Sequence, residues 1–317
     1  MGPRRRQRRR RAGAPGGWPR PPGASRTAAR CEEAASRIRA DPALLAVPEG
    51  HRGSLETMTV DVSSLASVQQ FCRSFLKKQK SIPLDMLFLN ASIKYAPVHE
   101  DGVSLHLSED GIESTFATNV VGHHLMYRLL APALGKSLRR TTPARIVLTS
   151  SAVTYLVEAP HKVPTDLKTL NGIAARDPDL YQQSKLAQVL WAKELTVRDN
   201  NNNDLFVNTA NPGAVATKIW RDGTWNDQGA VGKFWSAFTS FHQSWFMWTP
   251  AEGALTPLYL GTAFEELREK DLKGQYFHPQ SRQMEDHVLF PENNAERTKE
   301  LQSKLWDFLD ELVADFV

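Results

Sequence analysis

The sequence predicts an α/β fold built on a parallel sheet, and two observations carry that prediction. Short apolar runs of five to seven residues recur along the chain, each closed by a polar residue. Between them lie longer stretches whose apolar residues fall near helical spacing. Strands that alternate with helices of such length need right-handed crossovers, which leave neighbouring strands parallel.

The strands are expected, in order, at 56–61 (ETMTVD), 85–90 (DMLFLN), 145–151 (RIVLTSS) and 205–211 (LFVNTAN), with a weaker fifth at 274–278 (GQYFH). Helices are expected over 28–40, 63–80, 108–137, 179–199, 251–264 and 294–314. Ser63 suits an N-cap, and Pro291 lies just ahead of the last helix. Ligands of open parallel sheets bind beyond the carboxyl ends of the strands. Asp61, Asn90, Ser151 and Asn211 close those strands and are expected to face one crevice.

Charge divides the chain in two. The formal net charge is +4, but eight arginines and no acid fall in residues 1–23, which leaves residues 24–317 at −4. The body is mildly acidic and offers no nucleic-acid surface. Residues 1–23 are Arg, Pro and Gly with almost nothing to bury, so they are expected to be a disordered tail ahead of a folded domain at 24–317. Two cysteines, Cys31 and Cys72, make no disulfide framework and show no metal-ligand spacing, which favours a reducing compartment. No stretch is apolar enough to span a bilayer, and no apolar segment follows the basic run as in a secretory signal. The expected location is the cytoplasm.

Chemistry starts at Tyr181-Gln-Gln-Ser-Lys185. Residues four apart on a helix share a face, so this Tyr and Lys reach one ligand. A tyrosine of pKa about 10 is a poor base at neutral pH, and an adjacent ammonium favours its phenolate. Lowering that pKa by roughly three units requires about 4 kcal/mol of differential stabilisation. A hydroxyl hydrogen bond and a positively charged nicotinamide would add to the ammonium. Tyr and Lys at this spacing also recur on many helix surfaces, so the surroundings decide. Ser150-Ser151 closes a strand 30 residues earlier, Asn119 sits in FATNVVGHHLM, Asn90-Ala91-Ser92 closes another strand, and Asn211-Pro212-Gly213 opens a loop after a fourth. Each alone reads as a cap, a buried polar residue or a turn; their order and separation together do not.

The set LFLNAS, FATNVVGHHL, RIVLTSS, YQQSKLAQ and NPGAVAT resembles the short-chain dehydrogenases/reductases, in the branch of the retinol dehydrogenases and the WW-domain oxidoreductases. The resemblance runs from about Ala24 to the C-terminus. It implies a Rossmann-like doubly wound parallel sheet in a single domain. It implies an NAD(P)-dependent oxidoreductase that interconverts a carbonyl and an alcohol on a lipophilic small molecule. Tyr181 would be the general acid/base, and Lys185 would hold the nicotinamide ribose and lower the tyrosine's pKa. Ser151 would orient the substrate oxygen, and Asn119 would hold a water linking Lys185 to bulk. Hydride transfer to a carbonyl leaves an alkoxide that needs a proton, so these roles make chemical sense. Along the cofactor, the resemblance places Asp61 at the adenine, Asn90 and Ala91 beside its ribose, and Pro212, Gly213 and Thr217 around the nicotinamide. Arg26, at the end of a short strand in PPGASR, would face a 2′-phosphate and favour NADP over NAD.

One part of the pattern is missing. A Thr-Gly-x-x-x-Gly-x-Gly loop belongs about 20 residues ahead of Arg26, where the chain reads RRRQRRRRAGAPGGWPRPPG. That loop brings backbone amides at a helix N-terminus to the pyrophosphate. The first strand is expected to be absent with it, which would expose apolar edges. Three explanations stay open: a mispredicted first exon, a variant that has lost nucleotide binding, or a partner that completes the fold. The first is favoured, because Arg/Pro/Gly-rich sequence without periodicity is what translated GC-rich noncoding DNA looks like. A non-catalytic interaction protein is the alternative to an enzyme. The arginine tract also reads as a nuclear or polyanion-binding signal, or as an organellar transit peptide.

Residues 233–248 (KFWSAFTSFHQSWFMW) are rich in aromatics. They are expected to pack as core and to cap an apolar substrate pocket, with contact to a membrane surface as the competing reading. The expected partner is a lipophilic carbonyl or alcohol, with peripheral membrane contact and homo-oligomerisation as further expectations and no specific nucleic acid.

Overall fold

The computed structural model describes residues 22–79, 83–94, 106–134, 143–157, 162–173, 177–199, 205–215, 247–284 and 295–317. They divide into two compact units, one up to Asp61 and one from Val62 onward.

The first unit is one βαβ turn. Strand β1 (Pro22–Ser25) leads to helix α1 (Ala28–Arg39) and strand β2 (Glu56–Thr59). The two strands pair in parallel, from Pro22 opposite Glu56 to Ser25 opposite Thr59. Pro22 stands first in its strand, where its missing N–H costs least. Thr27 caps α1 by accepting from the amide of Arg30. The buried Cys31 thiol donates to the carbonyl of Met58 at 3.3 Å and so ties α1 to β2.

The second unit holds a five-stranded sheet in the order β3 (Met86–Leu89), β4 (Ala144–Thr149), β5 (Leu205–Ala210), β6 (Tyr276–His278) and β7 (Arg282–Met284). β3 to β6 are parallel. β7 is antiparallel and was not expected from the sequence; three residues give too short a period to read. β4 and β5 are the apolar centre, with ARIVL and LFVNTA wholly buried.

Helices cover both faces of this sheet. Val147 packs with Leu260 of helix α5 (Leu255–Thr262) and with Leu267, whereas Leu148 packs beside Asn119, His123 and Trp191. Consecutive strand residues point to opposite faces, so α5 lies on one side. Helices α3 (Gly122–Leu130) and α4 (Pro178–Arg198) lie on the other. Helix α2 (Leu65–Gln79) packs on α3, and helix α6 (Ala295–Val313) packs on α4 and α3. This is the expected Rossmann-like α/β arrangement.

Several boundaries differ from expectation for identifiable reasons. Ser64, not Ser63, caps α2: its Oγ accepts from Ser67, and the Asp110 carboxylate accepts from Leu65. The helix expected from 108 starts at Ser114, because residues 106–113 close a turn over Gly111 (φ 73°) and the Glu113 carboxylate caps the amides of Thr115 and Phe116. The helix expected over 251–264 is broken at Ala254, which brings Pro257 into a first turn where its missing N–H is harmless. Pro291 and the aromatic run up to 246 lie outside the described residues.

Candidate active site

Asn90, Ser151 and Asn211 follow the carboxyl ends of three adjacent parallel strands, so one edge of the sheet carries all three. The hydroxyl of Thr149 donates to Asn90 Oδ1 at 2.7 Å and ties the ends of β3 and β4 together. Asn90 and Ala91 are exposed at that edge. Asn211 is buried and accepts from the amide of Gly213. Gly213 has φ 84°, and a Cβ there would fall 3.0 Å from Trp248 and 2.9 Å from Pro279, so only glycine fits this loop. Pro212 precedes it, half-buried. Thr217 lies outside the described residues. Arg26, exposed just after β1, and Asp61, half-buried just after β2, belong to the first unit.

Tyr181 and Lys185 lie one turn apart on α4, and both are buried. The Ser151 side chain lies beside the Tyr181 hydroxyl and works against the rise that burial imposes on it, so strand end and helix meet there. The Lys185 ammonium sits 5.6 Å from the centroid of the Tyr181 ring. It donates to the carbonyl of Thr149 at 2.8 Å and to Gln188 Oε1 at 3.2 Å. Burial pushes Lys185 down to about 7. Burial also pushes Tyr181 up to about 12, against the opposing effect of Ser151. The expected lowering of the tyrosine by the lysine is thus outweighed: the ammonium faces the ring and neutral acceptors, and desolvation of the phenolate dominates.

Asn119 is fully buried in a π-helical turn, Ala117–Val121, that leads into α3. Such turns free a carbonyl from the helical ladder. Its side-chain amide donates to Ile93 O and Ser184 Oγ, both at 2.9 Å, and its Oδ1 accepts from Ile93 N and Ser92 Oγ. It thereby clamps the loop after β3 onto α4. Its main-chain carbonyl accepts from Gln188 Nε2 at 2.8 Å. Gln188 closes the YQQSKLAQ motif, yet sequence reasoning gave it no role; its signal was a glutamine one turn past the lysine, on the same buried face.

Sequence reasoning also passed over an aromatic group at the same sheet edge. Tyr155 hydrogen-bonds His278 Nε2 at 2.9 Å, and Tyr276 packs against both rings. Only the fold brings 155 and 276–278 together.

The donor set fits the nicotinamide half of a dinucleotide: an ammonium, a phenol and a hydroxyl converge on the end of β4, beside a glycine loop at the end of β5. The residues that would meet the phosphates are not supplied by a glycine-rich loop, since the sequence contains none of that pattern. Among the described residues no group of acids, histidines and cysteines could hold a metal ion. No described helix is long and apolar enough to cross a membrane.

Residues 25–163 match the family described as short chain dehydrogenase. Retinol dehydrogenase 14 of Mus musculus is 31% identical over 293 residues, covering 91% of this chain and 76% of that protein. The WW domain-containing oxidoreductase of Gallus gallus is 29% identical over 308 residues, covering 92% of this chain and 61% of its own length. Among solved structures, NADPH-bound carbonyl reductase from chicken fatty liver superposes with a TM-score of 0.53 at 18% identity, over 83% of this chain and 86% of that one.

Proposed function

This chain belongs to the short-chain dehydrogenase/reductase family, and on that premise we propose that it interconverts a carbonyl and an alcohol on a lipophilic small molecule with a nicotinamide dinucleotide. The observation that carries the reading is the buried pair of Tyr181 and Lys185, one helical turn apart on α4, with Ser151 beside the phenol. When bound, the nicotinamide supplies or accepts the hydride and, oxidised, a positive charge beside the phenol.

The rest is the work of this chain's own groups. Ser151 and Tyr181 share the position a substrate oxygen would take, with two hydroxyls to orient it. At neutral pH a phenol pushed up to about 12 is protonated, which suits Tyr181 to give its proton to the alkoxide left by carbonyl reduction. The reverse direction requires the phenolate, which burial disfavours; alcohol oxidation should therefore gain from rising pH more than carbonyl reduction does. Lys185, held by Thr149 and Gln188, titrates near neutrality and sets the local charge. Arg26, exposed after a strand, is the candidate for choosing NADP over NAD. An apolar substrate agrees with the names of relatives such as retinol dehydrogenase 14 and the polyprenol dehydrogenases of mouse and human. A cytoplasmic location and self-association stay part of the proposal.

Fluorescence titration of the full chain with NADPH tests it. Micromolar binding is expected, weakened by Arg26→Ala more for NADPH than for NADH. A folded chain that binds neither nucleotide overturns the reading and leaves a non-catalytic interaction protein.

A further inference from the structure

Among the described residues, Lys185 is a buried cation with no acidic partner. The residue is 1% exposed, and its ammonium donates to the carbonyl of Thr149 and to Gln188 Oε1. Gln188 is equally buried, and its other end is engaged as well: Nε2 donates to the main-chain carbonyl of Asn119. The amide therefore has a fixed orientation, oxygen towards the ammonium and nitrogen towards the carbonyl. Exchanging the two would set a donor against Lys185 and an acceptor against Asn119.

We propose that Gln188 is a positioning residue of the acid–base site: its amide bridges Lys185 to the Asn119 carbonyl, fixes the ammonium through a neutral acceptor, and takes the carbonyl position that would otherwise hold a water. The inference rests on the reading of Lys185 as the partner of Tyr181. Two points support it. Gln188 Nε2 donates to the Asn119 carbonyl within the π-helical turn, so the amide ties that turn to the lysine. A side-chain amide also differs chemically from a water in that position. A water passes protons by exchanging donor and acceptor roles, whereas an amide does so only through an unfavourable tautomer. Gln188 thus makes Lys185 a charge-setting group cut off from bulk on the Asn119 side.

The titratable groups that face Lys185 are Tyr181 from its own helix and His123 from α3; β4 presents the Thr149 carbonyl. His123 is pushed down to about 3, by burial first and then by Lys185, so it stays neutral across the working range. Tyr181 stays protonated there too. A change in the lysine's titration can then be assigned to Gln188.

The test is carbon-13 NMR of the full chain labelled at lysine Cε, without nucleotide, with Lys185 assigned from the resonance lost in Lys185→Arg. In the unsubstituted chain that resonance should titrate far below the other lysines. Gln188→Leu keeps the volume and removes the acceptor, which should lower the midpoint by about one pH unit. Gln188→Glu keeps the shape and adds a negative charge, which should raise it by about one unit or more. A merely structural glutamine would lower the melting temperature in both variants and leave the midpoint where it was; that result overturns the proposal. So does a Lys185 that titrates with the exposed lysines in the unsubstituted chain. If the leucine variant does not fold, Gln188→Met and the glutamate variant decide by the same criterion. NADPH binding is read separately. Its failure breaks the proposed function and leaves the lysine titration standing.

Discussion

Two polar networks, one half-buried and one fully buried, sit on the same pair of helices and solve opposite problems. At the far side of α3 and α4 from the sheet, Asp310 of α6 is a shared acceptor. It receives His124 Nε2 at 2.8 Å, Trp306 Nε1 at 3.0 Å and the guanidinium of Arg128. Trp191 Nε1 donates to His124 Nδ1 at 2.9 Å, so the histidine proton must lie on Nε2 and point at the carboxylate. Burial pushes Asp310 up, but the hydrogen bonds and charges of His124 and Arg128 outweigh it and hold the carboxyl below its usual range. The ring N–H groups of His124, Trp191 and Trp306 each have an acceptor, and the negative charge faces a positive one. Among the described residues the Lys185 network has no such pairing: a buried ammonium meets neutral oxygens, and its pKa falls to about 7. A network that only holds a fold together can satisfy its charges fully. One that must change charge near neutrality has to leave the charge partly unsatisfied.

The largest expected break in this contrast is Tyr181→Phe. Loss of an acid/base group costs about 10²–10⁴ in rate, on the order of 3–5 kcal/mol of barrier. Folding stability should hardly move, since the phenyl ring keeps its packing. A kcat within threefold of the unsubstituted chain would remove Tyr181 from the chemistry. Asp310→Ala comes next and has the opposite signature. It strands His124 Nε2 and Trp306 Nε1, and should cost about 2–3 kcal/mol of stability by denaturant unfolding. The kcat of the folded fraction should stay unchanged. Stability above that range intact would mean that the aromatic stack of Trp191 on Trp306, with centroids 5.5 Å apart, holds α6 alone.

The same contrast explains what could be read from the sequence. Strand cores such as RIVLT and LFVNTA were legible, because parallel strands buried on both faces are continuous apolar runs. Tyr181, Lys185, Ser151 and Asn119 were legible as a set, through their order along the chain, and the fold brings them together in one unit. Gln188 was legible only by its place one turn past the lysine, and nothing local gives the bridge it makes between Lys185 and the Asn119 carbonyl. The Asp310 network was invisible for another reason: its members at 124, 128, 191, 306 and 310 meet only when α6 docks. The turn at 106–113 was misread as helix because its capping carboxylate, Glu113, is an ordinary helix former, and the cap shows only in the fold.

Lys185→Met gives the smallest effect per pH unit and the sharpest sign. The unfolded lysine binds its proton up to about pH 10.4. The folded one gives it up near 7. Between those values the unfolded state holds the extra proton, so stability rises with pH across the window, by at most about 1.4 kcal/mol per unit. Below about 7 both states are protonated and the penalty of the buried charge is fully present. The methionine variant carries no such charge. It should be more stable than the unsubstituted chain near pH 6, and the two should converge as pH rises towards 10. Cys72, which burial pushes up to about 12, acts in the opposite direction above its ordinary range but equally in both chains, so it cancels in the difference. Parallel urea-unfolding curves from pH 6 to 9.5 measure the gap. A gap that stays constant would mean that the Lys185 ammonium is as well solvated in the folded chain as in water, and the distinction between the two networks would fail at its first member.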